Sequence, residues 1–397
     1  MSNETKPERP LKVGFVTAGL YFDPHQAQNR ARYAALSQGS EGDIFGVVYV
    51  RAFRDARLDK YGVKALSLPQ WLGGYGTVRS FVRAFRYVAF VIGFSIRSRL
   101  AGKRPYDVLV SSDPFKSGAL AMIAGRILRI PYAIELNGNY AAAMALDDGT
   151  TSSWYMRLKE RFAMFLMPRV LRNAGAIKLL YEDQFGKFAT PELLGKTHVF
   201  HNLVPLAPFR NEPSEERYLL LLGHPWYLNG VDLAIRAFRE LADKYPDFHL
   251  RVVGYNPNPA EFEQLAGGHP RIHLDGAGVP HTEAIGLINR CYALLLCSRT
   301  EGMGRVLLEA MAAAKPLVGS RVDGIPRIVR HEQNGLLFDS NDADDLARQL
   351  DRLMGDPAFA RRLGDNAKTD VHVRLSPEAY TSQYFEFLEA AAGRSPA

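Results

Sequence analysis

Short, nearly unbroken apolar runs alternate along the chain with longer stretches of helical period. LKVGFVTAG (Leu11–Gly19) is apolar and ends in a glycine turn, and QNRARYAALSQ after it has the spacing of a helix. DIFGVVYV, VKALSLP, YDVLVSSDP (Tyr106–Pro114) and PYAIELNGN read as further strands, with GALAMIAGRILRI as a helix between the last two. Runs of four to eight apolar residues closed by turn residues predict strands covered on both faces. Helices between them predict a mostly parallel sheet. The pattern pauses at HNLVPLAPFRNEPSEE (His201–Glu216), a proline-rich polar segment that reads as a boundary, and then restarts. YLLLLG, FHLRVVG, RIHLDG, YALLLCS, KPLVGS and GLLFDS follow as strands, with VDLAIRAFRELADKY and HTEAIGLINRC as helices. SPEAY (Ser376–Tyr380) opens a last helix, with serine placed to cap and proline at its first position. The expectation is two α/β units: residues 1–205, residues 206–375, and a terminal helix over 376–397.

Length agrees with two cores, since 397 residues exceed what a single core usually organises. A hydrophobic fraction of 47% and a charged fraction of 23% are those of an ordinary globular chain. The two cysteines, Cys291 and Cys297, share one apolar run with no histidine or cysteine partners beside them, so they read as buried thiols of a reducing compartment. The first ten residues lack the apolar core of a signal peptide, and no apolar run is long enough to span a membrane. A cytoplasmic location follows as the expectation.

A net charge of +7 changes the picture by favouring an anionic partner. The charge is concentrated. From Trp71 to Arg104 there are seven arginines and lysines (Arg79, Arg83, Arg86, Arg97, Arg99, Lys103, Arg104) and no acidic residue, with Phe81, Phe85, Val88 and Ile92 at helical spacing. Trp154–Gly175 repeats the mixture with Arg157, Lys159, Arg161, Arg169 and Arg172. Two readings stand side by side: core helices with solvated basic edges, or amphipathic surfaces that dock on anionic lipid at the inner face of the membrane. Nucleic acid is disfavoured, because zinc-finger spacing, an aromatic RNA-binding motif and a lysine-rich arm are all missing.

The chemistry concentrates in EGMGRVLLEAM (Glu301–Met311). It follows a predicted strand. Its glycines let a loop pass close to a ligand, and the helix start behind them offers free N–H groups to a phosphate. Glu309 falls one turn after Arg305, within pairing distance, while Glu301 stands before the helix. Two carboxylates at different depths can each take a pair of sugar hydroxyls, with a diphosphate between them.

The run from Glu301 to Leu350, with its AM-A-A-x-K-P, G-I-P and NGLLF segments, resembles the donor-binding half of the retaining family 4 glycosyltransferases and carries their Glu-x7-Glu motif at Glu301 and Glu309. YLLLLG…NGVDLAIRAF and HNLV are similar to that family's second-domain start and linker turn. The resemblance implies the GT-B fold, two Rossmann-like domains facing across a cleft. The first domain would bind the acceptor and the second a nucleotide diphosphate sugar, and the terminal helix would cross back to the first. It implies that Glu301, with the backbone of Gly302, Met303 and Gly304, holds the donor sugar; that Glu309 holds the ribose; that the amides of Arg305 and Val306 face the diphosphate; and that Gly223 marks the phosphate loop. Asn137 stands where the family often has a histidine near the transferred sugar. No metal or cofactor beyond the sugar nucleotide is implied, and the acceptor expected is a lipid-linked saccharide or polysaccharide precursor.

Two positions depart from the pattern. The family usually has basic residues after the glycine equivalent to Gly223 and before the next glycine; here they are His224 and Asn229. A diphosphate leaving group needs positive charge, and a missing fixed donor costs about 3 kcal/mol of barrier. Arg305, Arg327, Arg321 and a protonated His224 are the candidate replacements, the first two preferred. The departures keep open a catalytically inactive sugar-nucleotide-binding protein. An inverting transferase using Asp23, Asp113 or Glu135 as base is the other alternative, and His25, Asn29 and Arg30 are further acceptor-side candidates.

Overall fold

The computed structural model describes residues 9–48, 56–69, 77–138 and 165–394. The chain divides into two compact units. The described residues up to Asn137, residues 165–203 and those from Tyr380 on form the first; Val204–Ala379 lie in the second.

The first unit is built on an eight-stranded sheet of order β3-β4-β2-β1-β5-β6-β7-β8. Its strands are β1 Leu11–Tyr21, β2 Ser40–Val48, β3 Arg57–Leu58, β4 Tyr61–Ser67, β5 Val108–Ser111, β6 Tyr132–Glu135, β7 Ala176–Leu179 and β8 Thr197–Val199. Only the two-residue β3 runs antiparallel to its neighbour. β5, β6 and β7 are buried along their whole length, as strands sandwiched between helices must be. Leu11, Val13 and Phe15 of β1 pack with Tyr33 and Leu36 from the helix Ala27–Leu36. Tyr380, Tyr384, Phe387 and Leu388 of the terminal helix Pro377–Ala392 complete this core.

The second unit has six parallel strands, β9 Arg217–Leu222, β10 Phe248–Val253, β11 Ile272–Asp275, β12 Ala293–Leu296, β13 Leu317–Ser320 and β14 Leu336–Phe338, in the order β11-β10-β9-β12-β13-β14. Numbered within the unit this is 3-2-1-4-5-6, the doubly wound arrangement. The helix Val231–Leu241 lays seven buried residues against this sheet, and Ala343–Gly355 packs beside it through Leu346, Leu350 and Leu353. Each unit is therefore Rossmann-like, and together they make a fold of the GT-B type. In the second unit the strand order reverses between β9 and β12, so ligands are expected beyond the carboxyl ends of these strands.

The expected strands and helices are present, with ends shifted by a few residues. Residues 343–374, unassigned from the sequence, form two helices, Ala343–Gly355 and Pro357–Arg374. Their start signals are Asp342, whose carboxylate accepts from the Asp345 N–H at 2.8 Å, and Asp356, which caps the next helix through Ala358 and Phe359.

Candidate functional site

A cavity of about 630 Å³ opens at the carboxyl ends of β9, β10 and β11. Gly223 borders it directly after β9, Gly254 and Tyr255 after β10, Gly278–His281 after β11, and Arg305, Val306 and Glu309 from the helix Arg305–Ala312. Four residues singled out from the sequence, Gly223, Arg305, Val306 and Glu309, thus meet in one wall. Tyr255, Ala277–Pro280 and His281 belong to it too. None of these is singled out in the sequence, since they enter the wall only where β10 and β11 lie beside β9.

Close backbone approach explains the glycines. Gly304 has φ 67° at the helix start, and a Cβ there would sit 2.6 Å from a methyl of Leu296. Gly223 has φ 152°, and its Cβ would lie 2.5 Å from Oδ1 of Asn229. Asn229 is folded onto its own loop, donating from Nδ2 to the carbonyl of Pro225 at 2.8 Å. It staples the loop Gly223–Gly230. His224 lies against Tyr255, ring centroids 6.4 Å apart.

Arg305 and Glu309 pair at 3.0 Å across one helical turn; Glu309 is buried while Arg305 keeps over a third of its side chain exposed. Arg321 is paired instead with Asp339 at 3.3 Å. Arg327 lies on the short helix Ile325–Ile328, where its carbonyl accepts from Arg374, and it does not line the cavity. Of the candidate cations, Arg305 is the one in the cavity wall.

Glu301 sits on the turn before the helix, half-buried, with Oε1 accepting from the Gly302 N–H at 3.0 Å. Burial raises its carboxyl above the ordinary range; the amides of Gly304 and Gly302 pull it back, and Asp323 adds to the rise. Asp323 itself anchors the turn, accepting from the Glu301 N–H at 2.9 Å and the Thr300 hydroxyl at 2.7 Å. Met303 is buried beside them. A further residue, Arg299, links this turn to the phosphate-side loop. Its guanidinium grips both oxygens of Asp232 at 2.9 and 2.8 Å and bonds the carbonyl of Tyr227, and its own N–H donates to Leu228.

Asn137 and the acceptor-side candidates lie in the first unit. Asn137, just past β6, donates from Nδ2 to the Ser112 carbonyl at 3.2 Å and to Glu135 at 3.4 Å. Its Oδ1 is buried and accepts no hydrogen bond among the described residues. Glu135 is fully buried and paired with Arg32 at 2.5 Å. Asp113 uses both carboxylate oxygens to close its own turn, toward the Phe115 N–H and the Ser117 hydroxyl. Asp23 caps its loop through the His25 N–H at 2.8 Å, and Asn29 donates to the Asp23 carbonyl.

The basic helix Thr77–Leu100 buries Tyr87 and Val91 and exposes Phe85 at 67% and Leu100 at 83%, with Arg79, Arg86, Arg97 and Arg99 exposed among them. One face is core, the other a basic apolar surface. Residues 71–76 and 154–164 of the two basic segments, including Arg157, Lys159 and Arg161, lie outside the described residues. Phe165, past them, is exposed with Arg169 stacked 3.8 Å from its ring centre. No helix among the described residues is long and apolar enough to cross a membrane.

Residues 27–183 match the family model "Glycosyl transferase 4-like domain", and residues 207–370 match "Glycosyl transferases group 1". A lipopolysaccharide core biosynthesis glycosyltransferase, LpsD of Rhizobium meliloti, is 30% identical over 46% of this chain; the match spans about half, 52%, of that relative's length. The sucrose-phosphate synthase of Thermosynechococcus elongatus superposes with a TM-score of 0.76 at 19% identity, covering 96% of this chain and 98% of the other. Anabaena HepE, solved with UDP and glucose, gives 0.69 at 17%, covering 96% and 100%. These two likenesses are of fold.

Proposed function

We propose that this chain, a glycosyltransferase of the GT-B type by its fold and by the family models that its two halves match, moves a hexose-like sugar from a nucleotide diphosphate sugar to a lipid-linked or polysaccharide-precursor acceptor with retention at the anomeric carbon. The observation that carries the reading is the cavity wall that joins Gly223, Arg305, Val306 and Glu309 at the reversal point of the second sheet. There Glu309 takes the ribose hydroxyls, the Arg305 and Val306 amides face the diphosphate, and Glu301 with the Gly302–Gly304 turn takes the sugar. In the transfer, the bond from the anomeric carbon to the diphosphate oxygen breaks while the acceptor oxygen bonds the same face. The acceptor proton passes to the leaving phosphate oxygen. The protein positions the partners and stabilises the charge that develops, with Arg305 as the fixed cation and no metal required.

Retention is favoured over an inverting reaction because the three candidate bases are engaged elsewhere: Asp23 and Asp113 in turns, Glu135 in a buried ion pair. A UDP-hexose is the first donor to try, given that HepE was solved with UDP and glucose. The deciding experiment offers UDP-, GDP- and ADP-sugars with a lipid-linked saccharide extract and reads the anomeric configuration of the product by NMR. A retained configuration is expected. An inverted product would overturn the mechanism, and failure of every donor to react or bind would overturn the activity.

Glu309→Ala is expected to raise the donor KM about 10- to 100-fold with a smaller change in kcat, since it removes a charged acceptor from the ground-state complex. Steady-state kinetics with the donor varied measure this, and an unchanged KM would remove Glu309 from the site. We further propose that the exposed face of Thr77–Leu100 docks on anionic lipid, arginine stems lying along the apolar surface. The protein is expected to co-sediment with phosphatidylglycerol-containing vesicles and not with neutral ones. Phe85→Asp together with Leu100→Asp should abolish that, and equal binding to neutral vesicles would refute it.

A further inference from the structure

At the opposite ends of the same strands, three ligand-type side chains converge. Glu216 immediately precedes β9, His249 is the second residue of β10, and His273 is the second residue of β11. His249 Nδ1 lies 3.0 Å from His273 Nε2 and 3.1 Å from Glu216 Oε1, and the three ligand atoms all fall within 4.8 Å of one another. The two imidazole planes are within 10° of parallel.

A proton cannot satisfy this arrangement fully. One ring nitrogen carries at most one hydrogen. If His249 Nδ1 is protonated, it must divide that hydrogen between the carboxylate and the second ring. If it is not, its lone pair faces the lone pairs of Glu216. A cation accepts all three at once. Arg251 takes the other carboxylate oxygen, Oε2, which leaves Oε1 turned toward the rings, the orienting role that outer partners play around metal ligands.

We propose that Glu216, His249 and His273 form a binding site for a borderline divalent transition metal, zinc or a cation of similar preference. Two imidazole nitrogens and one carboxylate oxygen are the donors such ions select, whereas magnesium and calcium take oxygen sets. His273 is exposed and the other two are partly so, which leaves room for water to complete the coordination. Closing the set asks for small ring rotations, which the exposed position of His273 allows. Leu222 and Val253 line the cavity, and Glu216 and His249 lie six and four residues earlier along the same strands, about 20 and 13 Å away. The ion therefore fastens the edge strand β11 to β10 and β9 and takes no part in sugar transfer. The proposal stands independently of the transferase reading.

The test uses the full chain without an affinity tag, stripped with chelator and titrated with Co2+, Zn2+ and Mg2+ by calorimetry and visible absorption. One equivalent of Co2+ should give d–d bands that Zn2+ displaces, and Mg2+ should give no heat. His249→Ala and His273→Ala should each weaken Zn2+ binding at least about tenfold, as should Glu216→Gln. Circular dichroism of each variant separates lost ligation from lost folding. Absence of Zn2+ binding by the unaltered protein, or binding within tenfold of it by a folded His249→Ala/His273→Ala double variant, would overturn the site.

Discussion

Replacing Arg305 with alanine is expected to lower kcat about 10²- to 10³-fold, the loss seen when one fixed donor is removed from a site where charge develops. The reason lies in what surrounds it. The cations that the resemblance implies at positions 224 and 229 are replaced here by His224, which lies against Tyr255, and by Asn229, whose amide is bonded to Pro225. Arg321 is held by Asp339, Arg299 by Asp232, and Arg327 does not reach the cavity wall. Arg305 alone of these lines it, with more than a third of its side chain exposed. Its pairing with Glu309 gives the prediction a second part. Removing Arg305 leaves a buried carboxylate without its nearest cation, so donor KM should also rise, by less than kcat falls. Arg305→Lys keeps the charge but not the fork, and should recover part of kcat. Donors with poorer leaving groups should suffer more than good ones. A kcat within threefold of the unaltered enzyme would hand the role to another residue, and Arg327→Ala is then the variant to make.

Much of this was legible in the sequence, for identifiable reasons. Strands buried on both faces announce themselves as apolar runs, and β5, β9 and β12 did so. The cavity residues of the helix Arg305–Ala312 could be singled out because glycine turn, helix start and both glutamates lie within nine positions of one another. What stayed hidden depends on contacts between distant positions or on backbone. Asp323 steadies Glu301 from 22 residues away, and Arg299 bridges to Asp232 across 67. Tyr255 and Gly278–Pro280 enter the cavity only because β10 and β11 lie beside β9. Asn229 read as a missing cation because a motif position specifies a residue type; the structure shows the amide serving the loop.

Glu135 is the clearest case of long-range dependence, and it carries the other large prediction. From the sequence it was a strand-end carboxylate and a candidate base. In the fold it is buried and bonded to Arg32 from the first helix and to the Tyr384 hydroxyl from the terminal helix, with Lys178 of the neighbouring strand close by. Burial pushes its carboxyl upward, but the Arg32 and Lys178 cations and the Tyr384 hydrogen bond outweigh that and hold it below the ordinary range. Burial lowers the Lys178 amine to about 7, against the pull of Glu135. Glu135→Ala would leave the partly buried Arg32 without its counter-charge, and the expected cost is about 3 kcal/mol. Because the folded carboxyl lies below its unfolded value, this stabilisation is present above the unfolded value and is lost as pH falls through the folded one. The loss should be local. Amide exchange should accelerate in β6, in Ala27–Leu36 and in Pro377–Ala392, while β9 and β12 of the second unit keep their protection. Glu135→Gln should cost less than Glu135→Ala, since the amide oxygen can still accept from Arg32 and Tyr384. Asn137 donates to this same carboxylate, so the variant should also disturb whatever Asn137 contributes to the sugar, visible as a fall in kcat under conditions where the protein is still folded. Equal loss of protection in both units, or none in either, would show that Glu135 does not fasten these three elements.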